Sequence, residues 1–169
     1  MGVGKTTAIA AISERAPIST DVANADASVA KATTTVGLDF GELTLDNGDR
    51  LRLYGTPGQS RFDFMWKILV RDALGLAILL DNSRPAPLED LATYLDGFAD
   101  ALQDMPCALG ISRSESHPSP SLDDYARALH ARGLVMPVLA VDLRKGSDVI
   151  SLIETLLMQI EVSDTGATL

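Results

Sequence analysis

The chain has little that would place it in an oxidising compartment or a membrane. It contains one cysteine, so no internal disulfide can form, and Cys107 lies in an apolar run that favours a small buried side chain. No apolar run reaches the roughly 20 residues that a transmembrane helix needs. The N-terminus lacks the charged and then apolar pattern of a signal peptide, and the last residues lack a cysteine for a lipid anchor. These absences predict a cytoplasmic protein without a membrane anchor.

Basic residues are also scarce. The 169 residues include 14 Lys and Arg against 23 Asp and Glu, which gives a formal net charge of −9. Nucleic acids and anionic membrane surfaces attract clustered Lys and Arg, so this balance argues against both as partners. A nucleotide needs only a local positive site and is not excluded. The length suits one domain with a single core, which we assign to residues 1–162 with a flexible tail at 163–169.

Apolar patterning alternates between helices and strands along the chain. Its spacing predicts helices at 6–15, 61–73, 88–102, 122–131 and 148–161. Strands are predicted at 38–45, 51–54, 74–81, 105–111 and 136–141, and a long loop at 17–35. The last three strands are continuous apolar runs, typical of strands buried on both faces. The order predicts an α/β fold, a mostly parallel sheet flanked by helices on both faces, with ligands at the carboxyl ends of the strands.

The first segment, Gly2-Val3-Gly4-Lys5-Thr6-Thr7, is the most informative one, because a predicted helix follows it directly. A glycine-rich turn at a helix N-terminus points free N–H groups at one spot, where they can hold phosphate oxygens. Lys5 adds a charge for the outer phosphates, and Thr6 offers a hydroxyl to Mg²⁺. A complete phosphate loop has another glycine four residues before Gly4, after a buried strand. We therefore expect an incomplete N-terminus, with a genuine departure from the pattern as the alternative.

Three further segments follow in a recognisable order. Thr34-Thr35-Val36-Gly37 precedes one predicted strand, and Gly55-Thr56-Pro57-Gly58-Gln59-Ser60-Arg61-Phe62 follows the next. The exits of two buried strands carry Ser112 to Glu115 and Asp142 to Arg144. Over nearly its whole length the chain resembles the Ras-like small GTPases, and more closely their bacterial branch, which includes the MglA polarity switches. The resemblance implies the P-loop NTPase fold of a Ras-like G domain.

The resemblance also assigns the phosphate and metal contacts. Its phosphate-binding set comprises Gly2, Gly4, Lys5, Thr6, Thr7 and Gly58. Thr6 and Thr35 would supply hydroxyls to Mg²⁺. Gln59 would orient the attacking water, with Lys5 and Thr35 completing the catalytic set. Phosphoryl transfer suits such a set, because it needs positioning and charge stabilisation more than covalent chemistry.

Base recognition departs from the family pattern. Where the family has Asn-Lys-x-Asp, this chain has Ser112-Arg113-Ser114-Glu115. Glu115 would accept hydrogen bonds from guanine with a longer side chain, or else it is a solvated loop residue. Asp142 and Leu143 match the family's last motif, in which a backbone N–H, here that of Leu143, contacts the base carbonyl.

The metal site shows a second departure. Most small GTPases have an aspartate at the position of Gly55, where it holds a water of the Mg²⁺ ion. The bacterial branch shares its absence. Asp39 lies near the first switch segment, and Asp81 ends a neighbouring predicted strand. We hypothesise that one of these two carboxylates takes over the role.

The resemblance implies a molecular switch that binds GTP and GDP with Mg²⁺ and hydrolyses GTP slowly. It further implies a roadblock-type activating or regulatory protein as partner. A degenerate pseudo-GTPase that only binds a protein is one alternative. A P-loop small-molecule kinase or ATPase is the other, although we find no arginine-bearing lid. Phe62, Met65 and Trp66 share one face of a predicted helix, which is either core or a surface that a partner reads.

Overall fold

The computed structural model describes residues 3–16, 18–19, 38–56 and 63–166. Helices and strands alternate through these ranges, as the apolar patterning predicts, and the protein is α/β. In chain order the elements are α1 (Lys5–Ile12), β1 (Ile18–Ser19), β2 (Asp39–Thr44), β3 (Arg50–Gly55), α2 (Asp63–Val70), β4 (Leu76–Asp81), α3 (Pro87–Gly97), a 3₁₀ turn (Ala101–Gln103), β5 (Cys107–Ser112), α4 (Leu122–His130), β6 (Val138–Ala140) and α5 (Gly146–Gly166).

The described strands form two three-stranded sheets. In the first, β2 pairs antiparallel with both β1 and β3. In the second, β5 lies between β4 and β6 and pairs parallel with both. The prediction of a mostly parallel sheet therefore holds for β4 to β6 and not for β1 to β3. A tight turn around Gly48, whose φ is +87°, joins β2 to β3, and so short a connection permits only antiparallel pairing.

Helices cover the parallel sheet on both faces, as predicted. On one face, α1 and α5 pack against it through buried side chains that include Ile12 and Leu152. On the other face, α3 and α4 bury Leu91 and Leu129 against β4 and β5. All six residues of β5 are buried, which explains why this strand reads as an uninterrupted apolar run.

Several element ends differ from the predicted ones. α3 ends at Gly97 although apolar spacing continues beyond it, because the chain turns there into the 3₁₀ segment. α5 begins at Gly146 and continues to Gly166, past its predicted end at 161. The short strand β1 lies within the predicted loop at 17–35, most of which is outside the described residues.

Cys107 is buried, as its apolar surroundings indicate. Burial raises the pKa of its thiol to about 11, and its Sγ lies 3.1 Å from the carbonyl oxygen of Met105. A thiol with so high a pKa is unreactive at neutral pH.

The sequence predicts that no helix crosses a membrane. Within the part of the chain that the structure describes, none of them combines the length and the hydropathy that a membrane span requires.

Candidate functional site

The structure gathers several of the predicted site residues at one edge. Asp81 and Ser112 end neighbouring parallel strands, and Asp142 follows the third strand of that sheet closely. Gly4, at the start of α1, reaches the same edge, since a Cβ added there would lie 3.1 Å from Cδ1 of Leu143. The start of the phosphate-loop segment and the last predicted base segment are therefore in contact.

The N-terminus of α1 is open. Gly4 precedes the helix with a φ of +98°, which a residue with a side chain rarely adopts. No described side chain caps the helix, and its first turn contains no acidic residue. The first N–H groups of α1, those of Lys5, Thr6 and Thr7, therefore keep the partial positive charge that favours an anion.

Lys5 projects from this first turn and is partly buried. Burial lowers the pKa of its ammonium group, and the negative charge of Asp39 opposes that shift. Asp39 lies close enough to act on Lys5 through space, yet no ion pair joins Lys5 to any of the described residues. A partly buried cation without a bound counterion gains stability when an anion arrives.

Thr6 contacts Asp39 directly. Its Oγ1 donates a hydrogen bond of 2.5 Å to Oδ2 of Asp39, which is buried. Asp39 lies opposite Gly55 in the β2–β3 ladder, and a Cβ built at Gly55 would lie 3.3 Å from that same Oδ2. The carboxylate thus occupies space beside Gly55, the position at which the small GTPases that the sequence resembles have an aspartate.

The donor set at this point suits Mg²⁺. A hydroxyl from Thr6 and a carboxylate from Asp39 are hard oxygen ligands, and nucleotide-bound Mg²⁺ uses one or two protein oxygens together with phosphate and water. No group of three His, Cys, Asp or Glu side chains suited to a metal ion occurs among the described residues. One hydroxyl and one carboxylate fit a metal whose other ligands are phosphate and water.

Asp81, the other candidate carboxylate, already has partners within the protein for both of its oxygens. Its Oδ1 accepts from the backbone N–H and the hydroxyl of Ser83 at 2.9 and 2.6 Å. Its Oδ2 pairs with Nη1 of Arg113 at 2.9 Å. Burial alone would raise the pKa of Asp81, but the two Ser83 hydrogen bonds and the nearby arginine charges hold it below its usual value. Of the two carboxylates, Asp39 is the one in contact with Thr6.

Two of the predicted base-reading side chains are bound to other residues of the protein: Ser112 is buried, and Arg113 is exposed but paired. The hydroxyl of Ser112 donates to the carbonyl oxygen of Leu80 at 3.0 Å and is buried. The guanidinium of Arg113 is engaged with Asp81, and its backbone has a φ of +61°. Glu115 is exposed, and no ion pair or hydrogen bond joins its carboxylate to a described residue. Within this motif Glu115 is therefore the side chain free to meet a base.

The segment after β6 is stabilised by an ion pair between two of its own residues, Asp142 and Arg144. Asp142 accepts from Nε and Nη2 of Arg144 at 2.9 and 2.8 Å, and these bonds hold the pKa of Asp142 well below its usual range. The backbone N–H of Asp142 donates to Asp148. Leu143 is buried in the core that α1 and α5 share, so its side chain anchors the segment.

Four predicted site residues are not covered. Gly2, Thr35, Gly58 and Gln59 lie outside the described residues. Their assignments stay predictions from the sequence.

Asn82 is a residue that the sequence prediction missed. Its amide nitrogen donates to the carbonyl oxygens of His117 and Pro120 at 2.5 and 2.8 Å, and its Oδ1 accepts from the Tyr125 hydroxyl at 2.5 Å. Asn82 is 3% exposed. The signal was present, since Asn82 directly follows an apolar strand that ends in Asp81, and a buried amide at such a position needs partners.

The Tyr125 hydroxyl predicts a pH dependence. Burial, with the charges of Asp90 and Asp81, raises the pKa of Tyr125 from 10.0 to about 12. The neutral hydroxyl stabilises the fold below pH 10, and that contribution is lost as the pH rises toward 12. We expect the unfolding free energy of the wild type, relative to Tyr125→Phe, to fall by up to about 1.4 kcal/mol per pH unit in this window. Urea unfolding of both proteins at pH 9 and 11 measures it, and a constant difference would contradict the assignment.

Comparisons with known proteins assign no family. No protein-family model matches the chain. Among curated proteins, the chain is 34% identical over 56 residues to "Uncharacterized protein MJ1339" of Methanocaldococcus jannaschii. The match covers 33% of this chain and 36% of that protein, so it spans about a third of the length of each.

Proposed function

We propose that this chain is a Ras-like P-loop GTPase that binds GTP and GDP with Mg²⁺, hydrolyses GTP slowly and acts as a molecular switch. One observation carries the proposal. The open N-terminus of α1, the partly buried Lys5 and the Thr6–Asp39 pair converge at one edge of the fold. An open helix N-terminus and a lysine together fit phosphate, and the hydroxyl–carboxylate pair beside them fits the metal that accompanies it.

Each group has a distinct task in this proposal. The first N–H groups of α1 bind phosphate oxygens, and Lys5 neutralises the outer phosphates. Thr6 and Asp39 would hold Mg²⁺, and the ion would supply positive charge to stabilise the phosphate oxygens. Asp39 replaces the aspartate that the family has at the position of Gly55. Thr35, Gly58 and Gln59 respond to the outer phosphate and orient water, as the sequence resemblance implies.

The base and the partner complete the proposal. Glu115 accepts hydrogen bonds from guanine, and the N–H of Leu143 contacts the base carbonyl. A roadblock-type regulator in the cytoplasm reads the switch segments and accelerates hydrolysis. These assignments are supported by the resemblance in sequence and by the exposure of Glu115.

Lys5→Ala is expected to weaken Mg²⁺–GTP binding by about 10- to 150-fold, because a hydrogen bond between charged groups contributes about 1.5–3 kcal/mol. Lys67→Ala is the matched control, since Lys67 is an exposed lysine of α2. Titration with fluorescent GTP, GDP and ATP measures the three affinities for each protein. Equal affinities for Lys5→Ala and wild type, or a wild type that binds none of the three, would overturn the proposal.

Single-turnover hydrolysis of bound GTP distinguishes the switch from a pseudo-GTPase. Slow release of phosphate that stops when Gln59 is replaced by alanine supports hydrolysis by this site. Tight GTP binding with no phosphate release, alone or with a roadblock-type partner, would favour the binding module instead.

A further inference from the structure

The residues at the end of β4 hold a loop that belongs to its neighbour β5. We call Leu80, Asp81, Asn82 and Ser83 the β4 exit, and residues 113–121 the β5–α4 loop. The two segments are about 30 residues apart in sequence and are joined by side-chain hydrogen bonds at both ends of the loop. This arrangement determines where the loop can place its exposed side chains.

The first anchor lies at the start of the loop. Nη1 of Arg113 lies 2.9 Å from Oδ2 of Asp81 and 2.9 Å from Oγ of Ser83. Just before it, the Ser112 hydroxyl donates to Leu80, and the Ser112 carbonyl accepts from the N–H of Asn82 at 3.0 Å. The loop therefore leaves β5 in a direction fixed by four contacts with the β4 exit.

The second anchor is the amide of Asn82. Its two N–H donors go to His117 and Pro120, and its oxygen accepts from Tyr125, so three of the four hydrogen bonds that an amide can make are formed. Tyr125 is 0% exposed, so water cannot reach this hydroxyl readily. Loss of the amide would leave buried polar groups without partners.

The start of α4 does not depend on this anchor. Ser121 and Asp124 form a capping box, in which each side chain accepts from the backbone N–H of the other residue. The helix is thus closed by its own residues. The two bonds that Asn82 donates hold the loop before the helix, and the bond that it accepts from Tyr125 joins the β4 exit to the first turns of α4.

We propose that Asn82 is a positioning residue that sets selectivity for the guanine base by holding the β5–α4 loop, and with it Glu115, in place. Glu115 lies between the two anchors and is exposed. A carboxylate that selects guanine must meet the ring N–H and the 2-amino group together, which requires a fixed backbone. The inference rests on the proposed function.

The experiment compares GTP, inosine triphosphate, which lacks the 2-amino group, and Mg²⁺–tripolyphosphate, which lacks a base. The wild type is expected to bind GTP at least about tenfold more tightly than inosine triphosphate. Asn82→Ala should bring that ratio close to one, while tripolyphosphate affinity stays within about twofold. Glu115→Gln should also lower the ratio. Hydrogen exchange of amides 113–121 should accelerate in Asn82→Ala and stay unchanged in Glu115→Gln.

Tyr125→Phe provides a milder variant, because it removes one of the three Asn82 bonds and keeps the ring. We expect a smaller fall in the ratio. An unchanged ratio in folded Asn82→Ala, or equal losses for GTP and tripolyphosphate, would overturn the inference while leaving the proposed function intact. A wild type that binds tripolyphosphate but shows no guanine preference would overturn the inference as well. A wild type that binds none of the three ligands would overturn both.

Discussion

Replacing Trp66 by alanine is expected to lower the free energy of unfolding by about 3–5 kcal/mol. Trp66 is 2% exposed, and its ring stacks on Phe98 at a centroid distance of 5.0 Å and lies at 5.4 Å from Tyr94. Whole domains are stable by only about 5–15 kcal/mol, so the variant would lose a large fraction of its stability. Urea unfolding followed by circular dichroism measures the change.

Gly97 supplies a matched control. A Cβ at Gly97 would lie 2.6 Å from Cζ3 of the Trp66 ring, so Gly97→Ala should destabilise the wild type by about 1–3 kcal/mol. In the Trp66→Ala background that ring is absent, and alanine should stabilise α3 by up to about 1 kcal/mol through its helix propensity. The same substitution is thus expected to change sign. Destabilisation of equal size in both backgrounds would contradict the packing described here.

Asp39→Ala is expected to remove most of the Mg²⁺ dependence of GTP binding, a loss of about 100-fold or more, because ligands that only support a metal site already contribute 10- to 100-fold. Asp81→Ala should leave that dependence unchanged, since its carboxylate is bound to Ser83 and Arg113. GTP affinity measured with Mg²⁺ and with EDTA gives the dependence for each variant. Equal dependence in Asp39→Ala and wild type would exclude Asp39 as the metal ligand.

A swap of residues across the β2–β3 ladder sharpens this experiment. Asp39 and Gly55 are directly opposed, so Asp39→Gly with Gly55→Asp returns one carboxylate to the same region from the other strand. The nearest obstacle to a side chain at position 55 is the flexible end of Ile9, at 3.0 Å. Partial recovery of Mg²⁺ dependence in the double variant would support a carboxylate role. The single variant Gly55→Asp should change the Mg²⁺ dependence of GTP binding, because it places a second carboxylate beside that of Asp39.

The gathering of the strand ends at one edge, where the candidate site lies, could be predicted from the sequence because it follows from local pattern. Alternating apolar helices and strands require the strand ends to gather, and glycine at position 4 marks an open helix start. The choice between Asp39 and Asp81 could not be made in this way. It depends on which residue lies opposite Gly55 and on an ion pair between Asp81 and Arg113, and both are tertiary contacts.

Trp66 shows the same limit within one helix. Its spacing predicted an apolar face, but a face of this kind serves equally as core or as a partner surface. The decision comes from Gly97, a residue on another helix whose missing side chain makes room for the ring. Sequence spacing within α2 carries no information about that glycine.

The position of α1 has a consequence for how the two sheets are joined. α1 packs against α5 on the side of the parallel sheet. On the other side, Ile9 of α1 and Ser13, which directly follows the helix, lie so close to Gly41 of the antiparallel sheet that a Cβ would not fit there. α1 thus contacts both sheets, whose strands do not pair with each other within the described residues. An anion that binds the folded protein at this first turn is therefore expected to raise the unfolding free energy of both sheets together, because unfolding either one would disturb the helix that holds it.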